Sequence, residues 1–533
     1  LLRSAFSSSF WKPRARFWFD SIHVLAKALA VAIRSKHTGK KSIIVFNAST
    51  RINGLSLNAA FSLLIAWALQ LAGVPVVHFV CKAGMSRCVL GTSLEDFNQP
   101  LPCKRCTRQS RLNYFGAHPH WFSYERNPAL HALIRDKSLE QLAQVEYEGI
   151  PLGQIVLPAL RWRLRVHNLL DDETTRTLYR EFILSAWNVA SEFTALLDSI
   201  DPQAVLVFNG QFFPEATVRW LCIQRGIRVI THEVAMQPLT AFLTDGDATA
   251  YPIHIPDDFE LSEEQNARLD AYLEKRFQGN FSMAGIQFWP EMKRLDAAFL
   301  EKLSNFKYLV PVFTNVIFDT SQPHANTLFG DMFAWLDLVL EKARSHPDTL
   351  FVIRAHPDES RPGKASRESV AGWVSESGAN QLANVVFISP DEYVSSYEMI
   401  QRAKFVMVYN STIGLEASIL GAAVLSAGKA RYTQYPIVFF PESQVVYRRM
   451  LDEFLDADKV NALPEHRQQA RRFMYYQLFR TSLPFDAFLD ATEQRGYVRL
   501  ARFNLRSLAP QHSPAIRAVL DGILAGGDFL LED

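Results

Sequence analysis

"MVYNSTIGLEASILGAAVLSAG", residues 407–428, decides how this chain folds. The run at 404–409 has the composition of a buried strand, and 413–420 carries apolar residues at helical spacing. Between them lies the polar turn Asn410-Ser411-Thr412. A strand, a tight turn and a helix start set unpaired backbone N–H groups and hydroxyls at the carboxyl end of a sheet, where anions bind. Ser411 or Thr412 is expected to cap the helix, and Gly414 to let a ligand come close to the backbone. Glu416, one turn in, fits either an acid favoured by the helix dipole or an acceptor for ribose hydroxyls.

The same grammar surrounds this stretch. Strands are predicted at 308–313, 350–355, 385–389 and 404–409, with helices over 332–343 and 370–377 between them. Alternation of this kind predicts a mostly parallel sheet. The first half repeats it: "SIIVFN" (42–47), a helix over 57–71, a strand at 75–80, then "AVLVFN" (204–209), a helix over 216–225 and the strand "IRVIT". The fold class is therefore α/β, with two Rossmann-like domains facing a cleft and helices at the C-terminus. The expected divisions are a basic amphipathic segment at 1–41, an acceptor-side domain at 42–245 and a helical connector at 246–305. A nucleotide-binding domain at 306–465 and a C-terminal helical region at 466–533 complete them.

At 533 residues with 48% hydrophobic and 21% charged residues, the chain has ample core. A formal net charge of +1 argues against a general nucleic-acid binder. The exception is the N-terminus, where Arg3, Lys12, Arg14, Arg16, Lys27 and Arg34 interleave with Phe6, Phe10, Trp11, Phe17, Trp18 and Phe19. This segment reads either as an amphipathic contact for an anionic membrane surface or as a terminal helix packed on the body. The apolar run at 22–33 is too short to span a bilayer and lacks a small-residue cleavage site. The expected location is the cytoplasm, soluble or peripheral on the membrane. The sequence opens on Leu1 rather than Met, which leaves room for a start further upstream.

Several predicted strands of the second domain end in polar residues. "RAHPDES" places Arg354 and His356 at one such end, with Pro357 halting the ladder behind the imidazole. "FTNVIFD" places Asn315 and Asp319 at a second, Asn410-Ser411-Thr412 occupy a third, and "VSSYEMI" adds Ser395 and Ser396 before a helix. Their common position at one sheet edge predicts a single ligand crevice.

"VIRAHPDE", "VSSYEMI" and "VYNSTIGLEASILGAAVLSAGKARY", preceded by "FTNVIFD" and Trp335, resemble bacterial capsular polysaccharide glycosyltransferases of the GT-B type. In outline the chain is also similar to bacterial sialyltransferases and CDP-glycerol glycerophosphotransferases. The resemblance covers about residues 305–435. It implies a nucleotide-sugar donor with His356 on its phosphate, Ser411 and Thr412 binding phosphate through hydroxyl and amide, and Glu416 on ribose. It also implies a glycan or glycolipid acceptor. Asp245-Gly246-Asp247 and Asp456-Ala457-Asp458 follow no strand of the donor sheet and read as solvated acids, so catalysis is expected to need no metal cofactor. The rival readings are a CDP-alcohol phosphotransferase, a nucleotide-sugar epimerase and a non-catalytic nucleotide-binding protein of a polysaccharide export complex.

An acceptor hydroxyl needs a general base, for which Glu233 at the end of "IRVITHE" is the first candidate and Asp319 the second. Asn47, Ser49, Arg51, Asn53, Asn209 and Gln211 follow strands of the first domain and are expected to line the acceptor side. Cys81, Cys88, Cys103 and Cys106 read either as ligands of a structural zinc bracing a loop or as ordinary thiols.

Overall fold

The computed structural model describes residues 8–36, 38–50, 52, 54–279, 292–362 and 364–533. Arg3, Phe6, Arg51 and Asn53 lie outside the described residues, as does part of the connector, 280–291.

The first domain is built on β1 (Ile43–Phe46), β2 (Val76–Cys81), β3 (His118–Phe122), β4 (Ala204–Phe208), β5 (Val229–Val234) and β6 (Thr240–Thr244). β3, β2, β1, β4 and β5 run parallel in that order, and β6 turns back antiparallel on β5. In β1 every residue is buried because both faces are covered: Ile43 and Val45 join one core, Ile44 and Phe46 the other. Ser56 starts the helix Leu57–Leu71 by accepting from the Ala59 N–H at 3.2 Å. Almost the whole of that helix is buried, since it is sandwiched between the sheet and the chain's two termini.

The second domain holds β7 (Tyr308–Phe313), β8 (Thr349–Arg354), β9 (Val385–Ile388), β10 (Val406–Val408) and β11 (Val424–Ser426). All are parallel, in the order β11-β10-β7-β8-β9. The two-residue side-chain period again divides the strands between two cores: Leu350 and Val352 face one side, Phe351 and Ile353 the other. The order reverses between β7 and β10, which makes the carboxyl ends of those two strands the topological switch point.

The connector supplies the helices Glu263–Phe277, opened by a Ser262/Gln265 capping box, and Ala297–Ser304. Beyond residue 466 the expectation of an all-helical region needs correcting. The helix Pro464–Tyr475 runs into a π-helical turn, Tyr476–Arg480, and the chain then adds β12 (Leu483–Pro484) to the free edge of β6. A hairpin of β13 (Leu489–Ala491) and β14 (Val498–Leu500) follows, then the helix Pro514–Ala525. Leu483, Phe485, Phe488, Val519 and Ile523 are buried in the first domain's core, so the C-terminus returns to complete the domain where the chain began. An otherwise open sheet edge is thereby covered.

The N-terminal helix Ser8–Arg34 packs Val24, Ala28 and Val31 into that same core, while Ile22, Leu29 and Ile33 stay exposed. Among the described residues no helix is long and apolar enough to cross a membrane.

Candidate active site

A cleft of about 530 Å³ opens at the switch point of the second sheet. Asn315, Asp319, Arg354, His356, Ser396, Asn410, Ser411, Thr412 and Glu416, all expected at a site, line it together. The strand ends are joined directly. Asn315 after β7 donates to the Asn410 carboxamide after β10 at 2.6 Å, and Thr314 donates to the Arg354 carbonyl at 2.9 Å.

His356 stands half-buried where β8 ends. Its Nδ1 accepts from the Asp358 N–H at 3.1 Å, which in the neutral ring leaves the proton on Nε2. Burial lowers its pKa, while Asp358 and Asp319 pull the other way. The group is thus a neutral donor held by the turn that Pro357 begins. Arg354 is 3% exposed and donates to the Ser396 hydroxyl at 2.8 Å and to the Val394 carbonyl; burial lowers its pKa to about 10, so it remains a cation.

In the opening stretch, Thr412 sits at the helix start without a side-chain capping bond. Ser411 gives its carbonyl to the Tyr432 hydroxyl at 2.8 Å and to the Gly414 N–H. The hydroxyls of Ser411 and Thr412 line the cleft with no partner among the described residues. Gly414 corrects an expectation, because it does not line the cleft. A Cβ there would lie 2.3 Å from the Tyr432 hydroxyl oxygen, so the glycine makes room for Tyr432 rather than for a ligand. Ser395 is likewise occupied elsewhere, accepting from the Glu398 N–H at the start of the helix Ser396–Arg402.

Glu416 is 3% exposed and paired with Arg276, itself 2% exposed, across 2.6 Å; Tyr397 donates to its other oxygen. Arg276 reaches in from the connector and was not expected at the site. Its signal in the sequence is a charge that continues the apolar stripe of Leu269 and Leu273 at helical spacing. Lys364, Lys429 and Arg431 also line the cleft, the last with its guanidinium 3.9 Å over the Tyr251 ring. "GKARY" follows β11 as directly as the Ser-Thr turn follows β10, so Lys429 and Arg431 could have been read from position.

The expected acceptor side is arranged differently. Glu233 does not line the cleft: Asn209 at 2.7 Å, Asn58 at 3.2 Å and the Val234 N–H at 2.8 Å all donate to its carboxylate, and burial raises its pKa. Ser49 donates from backbone and hydroxyl to the buried Glu215, and Asn47 accepts from Tyr114 at 3.2 Å. Asn47, Ser49 and Asn209 are therefore spent on the first domain's own polar network, while Gln211 reaches the cleft edge, where it donates to Asp247 and lies 3.3 Å from His324 Nε2.

Asp247 corrects the reading of the first Asp-x-Asp pair. Asp245 is exposed and paired with Arg228, but the Asp247 side chain is only 10% exposed and sits at the cleft edge. It accepts from Thr249 N–H and hydroxyl, at 3.0 and 2.7 Å, and from Gln211, with His324 at 3.5 Å. Burial works to raise its pKa but is outweighed by His324, Thr249 and Arg219, which hold it at about 2. Thr249 and His324 line the cleft. Asp456 and Asp458 are exposed and bind His346 and Lys307, as their solvated reading implies.

Cys81, Cys88, Cys103 and Cys106 line one small cavity of about 40 Å³ in the first domain. The Gly84 and Gly91 N–H groups donate to the Cys81 and Cys88 sulfurs, each at 3.2 Å. Burial, more than their mutual proximity, raises the thiol pKa of Cys88 to about 12. Among the described residues no three His, Cys, Asp or Glu side chains are grouped so as to hold a metal ion.

Two Rossmann-like domains and a cationic cleft at the switch point of the second sheet define a GT-B-like architecture. Residues 288–437, which carry most of that cleft, match the family model described as "Capsule polysaccharide biosynthesis protein". The resemblance read from residues 305–435 is thus to capsule polysaccharide biosynthesis proteins. A curated relative is protein FixF of Sinorhizobium fredii (strain NBRC 101917 / NGR234), 24% identical over 310 residues. The match spans 55% of this chain and 65% of FixF. Among solved structures, the KpsC β-Kdo 2,7 transferase of Thermosulfurimonas dismutans is similar at 15% identity and a TM-score of 0.33, over 58% of this chain and 85% of that one. The UDP-GlcNAc 2-epimerase of Neisseria meningitidis is similar at 12% identity and a TM-score of 0.26, over 82% of this chain and 99% of its own.

Proposed function

We propose that the protein transfers a sugar from a nucleotide-sugar donor to a glycan or glycolipid acceptor in surface polysaccharide assembly. The observation that carries this reading is the meeting of His356 Nε2–H with the unpartnered Ser411 and Thr412 hydroxyls in one cleft, ringed by Arg354, Lys364, Lys429 and Arg431. Such a set fits a phosphorylated leaving group. As the glycosidic bond breaks, negative charge grows on the phosphate, and donors already aimed at it stabilise the transition state. The protein's own cations supply that charge, so the reading asks for no divalent cation. The Glu416–Arg276–Tyr397 wall is where the ribose is held. The match to capsule polysaccharide biosynthesis proteins over the same domain supports the assignment. The exposed Ile22, Leu29 and Ile33, beside Arg34 and Lys36, support a peripheral contact with an anionic membrane surface on the cytoplasmic side.

The test is a thermal-shift panel of CMP-, UDP- and GDP-sugars, followed by mass spectrometry of the products. A nucleotide bound only by the folded state raises the melting temperature. His356→Ala is expected to abolish that rise while leaving the ligand-free melting temperature within about 2 °C, a change of under ~1 kcal/mol. An undiminished rise would remove His356 from the site. Consumption of the donor to an isomeric nucleotide-sugar, with no nucleotide released, would favour the epimerase.

A further inference from the structure

We propose that His324 is the general base for the acceptor hydroxyl and Asp247 its positioning residue; this deepens the glycosyl-transfer reading and rests on it. The two belong to different domains. Asp247 follows β6 in the first, while His324 lies on the short helix Gln322–Ala325 that follows β7 in the second. They meet at the cleft edge, where His324 is 29% exposed.

Hydrogen-bond accounting fixes the imidazole. The Thr249 hydroxyl has one hydrogen and spends it on Asp247 Oδ1 at 2.7 Å. At its 2.9 Å contact with His324 Nε2, Thr249 must therefore accept, and Asp247 Oδ2 lies 3.5 Å from the same nitrogen, so Nε2 carries the proton; the Gln211 carboxamide nitrogen, 3.3 Å from Nε2, directs its hydrogen to Asp247. Nδ1 is left as the basic nitrogen of the neutral ring, and it has no partner among the described residues. Asp247 is anchored by Thr249, Gln211 and Arg219 and stays anionic across the working range, 3.5 Å from Nε2. It thereby stabilises the imidazolium that forms when Nδ1 takes a proton. Neither earlier candidate is placed this way: Glu233 is turned into the first sheet, and Asp319 is an exposed carboxylate that accepts from Ser321 at 2.7 Å.

In the step itself, Nδ1 removes the acceptor O–H proton as the acceptor oxygen bonds to the anomeric carbon. The bond from that carbon to the nucleotide phosphate oxygen breaks, and its electron pair leaves with the phosphate. The imidazolium then gives its proton to solvent. Because base and positioning residue come from opposite domains, the pair is complete only when the domains are apposed as here.

Water can stand in for the unknown acceptor, so the experiment measures nucleotide release from the CMP-, UDP- or GDP-sugar that gives the largest melting shift. His324→Gln is expected to lower kcat by about 10²–10⁴-fold while leaving that sugar's melting shift and KM within about threefold, ~0.65 kcal/mol. Imidazole added to His324→Gly should restore part of the loss. Asp247→Asn should lower kcat while leaving KM within about threefold, a split that a merely structural role would not give. Release by His324→Gln within threefold of the unaltered chain overturns the base alone. Failure of every nucleotide-sugar to bind or release nucleotide overturns the glycosyl-transfer reading, and this inference with it.

Discussion

Replacing Arg276 by Met tests the cleft wall most directly. Arg276 and Glu416 are 2% and 3% exposed and 2.6 Å apart, and they tie the connector helix to the helix that follows the Ser-Thr turn. Removing the guanidinium leaves a carboxylate that is 3% exposed, with only Tyr397 as neighbouring donor among the described residues. Breaking one side of a buried pair costs about 3–5 kcal/mol, chiefly the desolvation of the charge left behind. For a domain of this size, each kcal/mol moves the melting temperature by about 2–4 °C, so Arg276→Met is expected to melt roughly 6–20 °C lower. Urea unfolding followed by circular dichroism gives the free energy, and calorimetry gives the melting temperature. The double variant Arg276→Met with Glu416→Leu replaces both charges by apolar groups and should recover all but about 1–2 kcal/mol. A single variant costing under ~1 kcal/mol, or a double variant that merely sums the two single losses, would refute the argument that these charges are buried against each other.

Two further outcomes follow from the packing and the buried acids. Gly414→Ala brings a Cβ to 2.3 Å from the Tyr432 hydroxyl and 3.1 Å from Val408, so it should lose about 1–3 kcal/mol in urea unfolding. Adding Tyr432→Phe should return part of that loss, and a neutral Gly414→Ala would show that the helix start shifts freely. Glu215 is fully buried, and burial lifts its pKa to about 7, above the ordinary value of 4.5. Between those values the folded chain holds a proton that the unfolded chain has lost, so stability falls as pH rises from about 4.5 to 7 and levels off above. Glu359, lifted by burial to about 7 as well, and Glu233, also raised, act in the same sense, so Glu215→Gln should reduce that slope in pH-resolved unfolding; an unchanged slope would assign it to the other two.

Much of the second domain was legible locally. Its strands are short apolar runs that stop at polar residues, and each stop marks a real strand end: Asn315 after β7, His356 after β8, Asn410 after β10. Reading those ends as one crevice succeeded because a parallel sheet with short crossovers delivers all its carboxyl ends to one side. The first domain was less legible. β6 pairs antiparallel with β5 on one side and with the edge strand β12 on the other, and β12 is only two residues long, too short for a period to show. Glu233 has the right position for a base, yet nothing local tells that Asn58 and Asn209 claim its oxygens. Gly414 was read for the wrong neighbour, because Tyr432 lies beyond the next strand.

The sequence by itself determined the alternation of strands and helices, the places where strands end in polar residues, and the helix over 57–71. These are set by side-chain period and by hydrogen bonds spanning three residues, which adjacent residues encode. Only the tertiary structure decided the strand order, the return of the C-terminus to the first sheet, and the pairs Arg276–Glu416 and Thr249–His324, separated by 140 and 75 residues. Such contacts form because burial in a common core brings distant elements together, and a charge or hydroxyl taken from water must then find its partner among whatever that core has brought near.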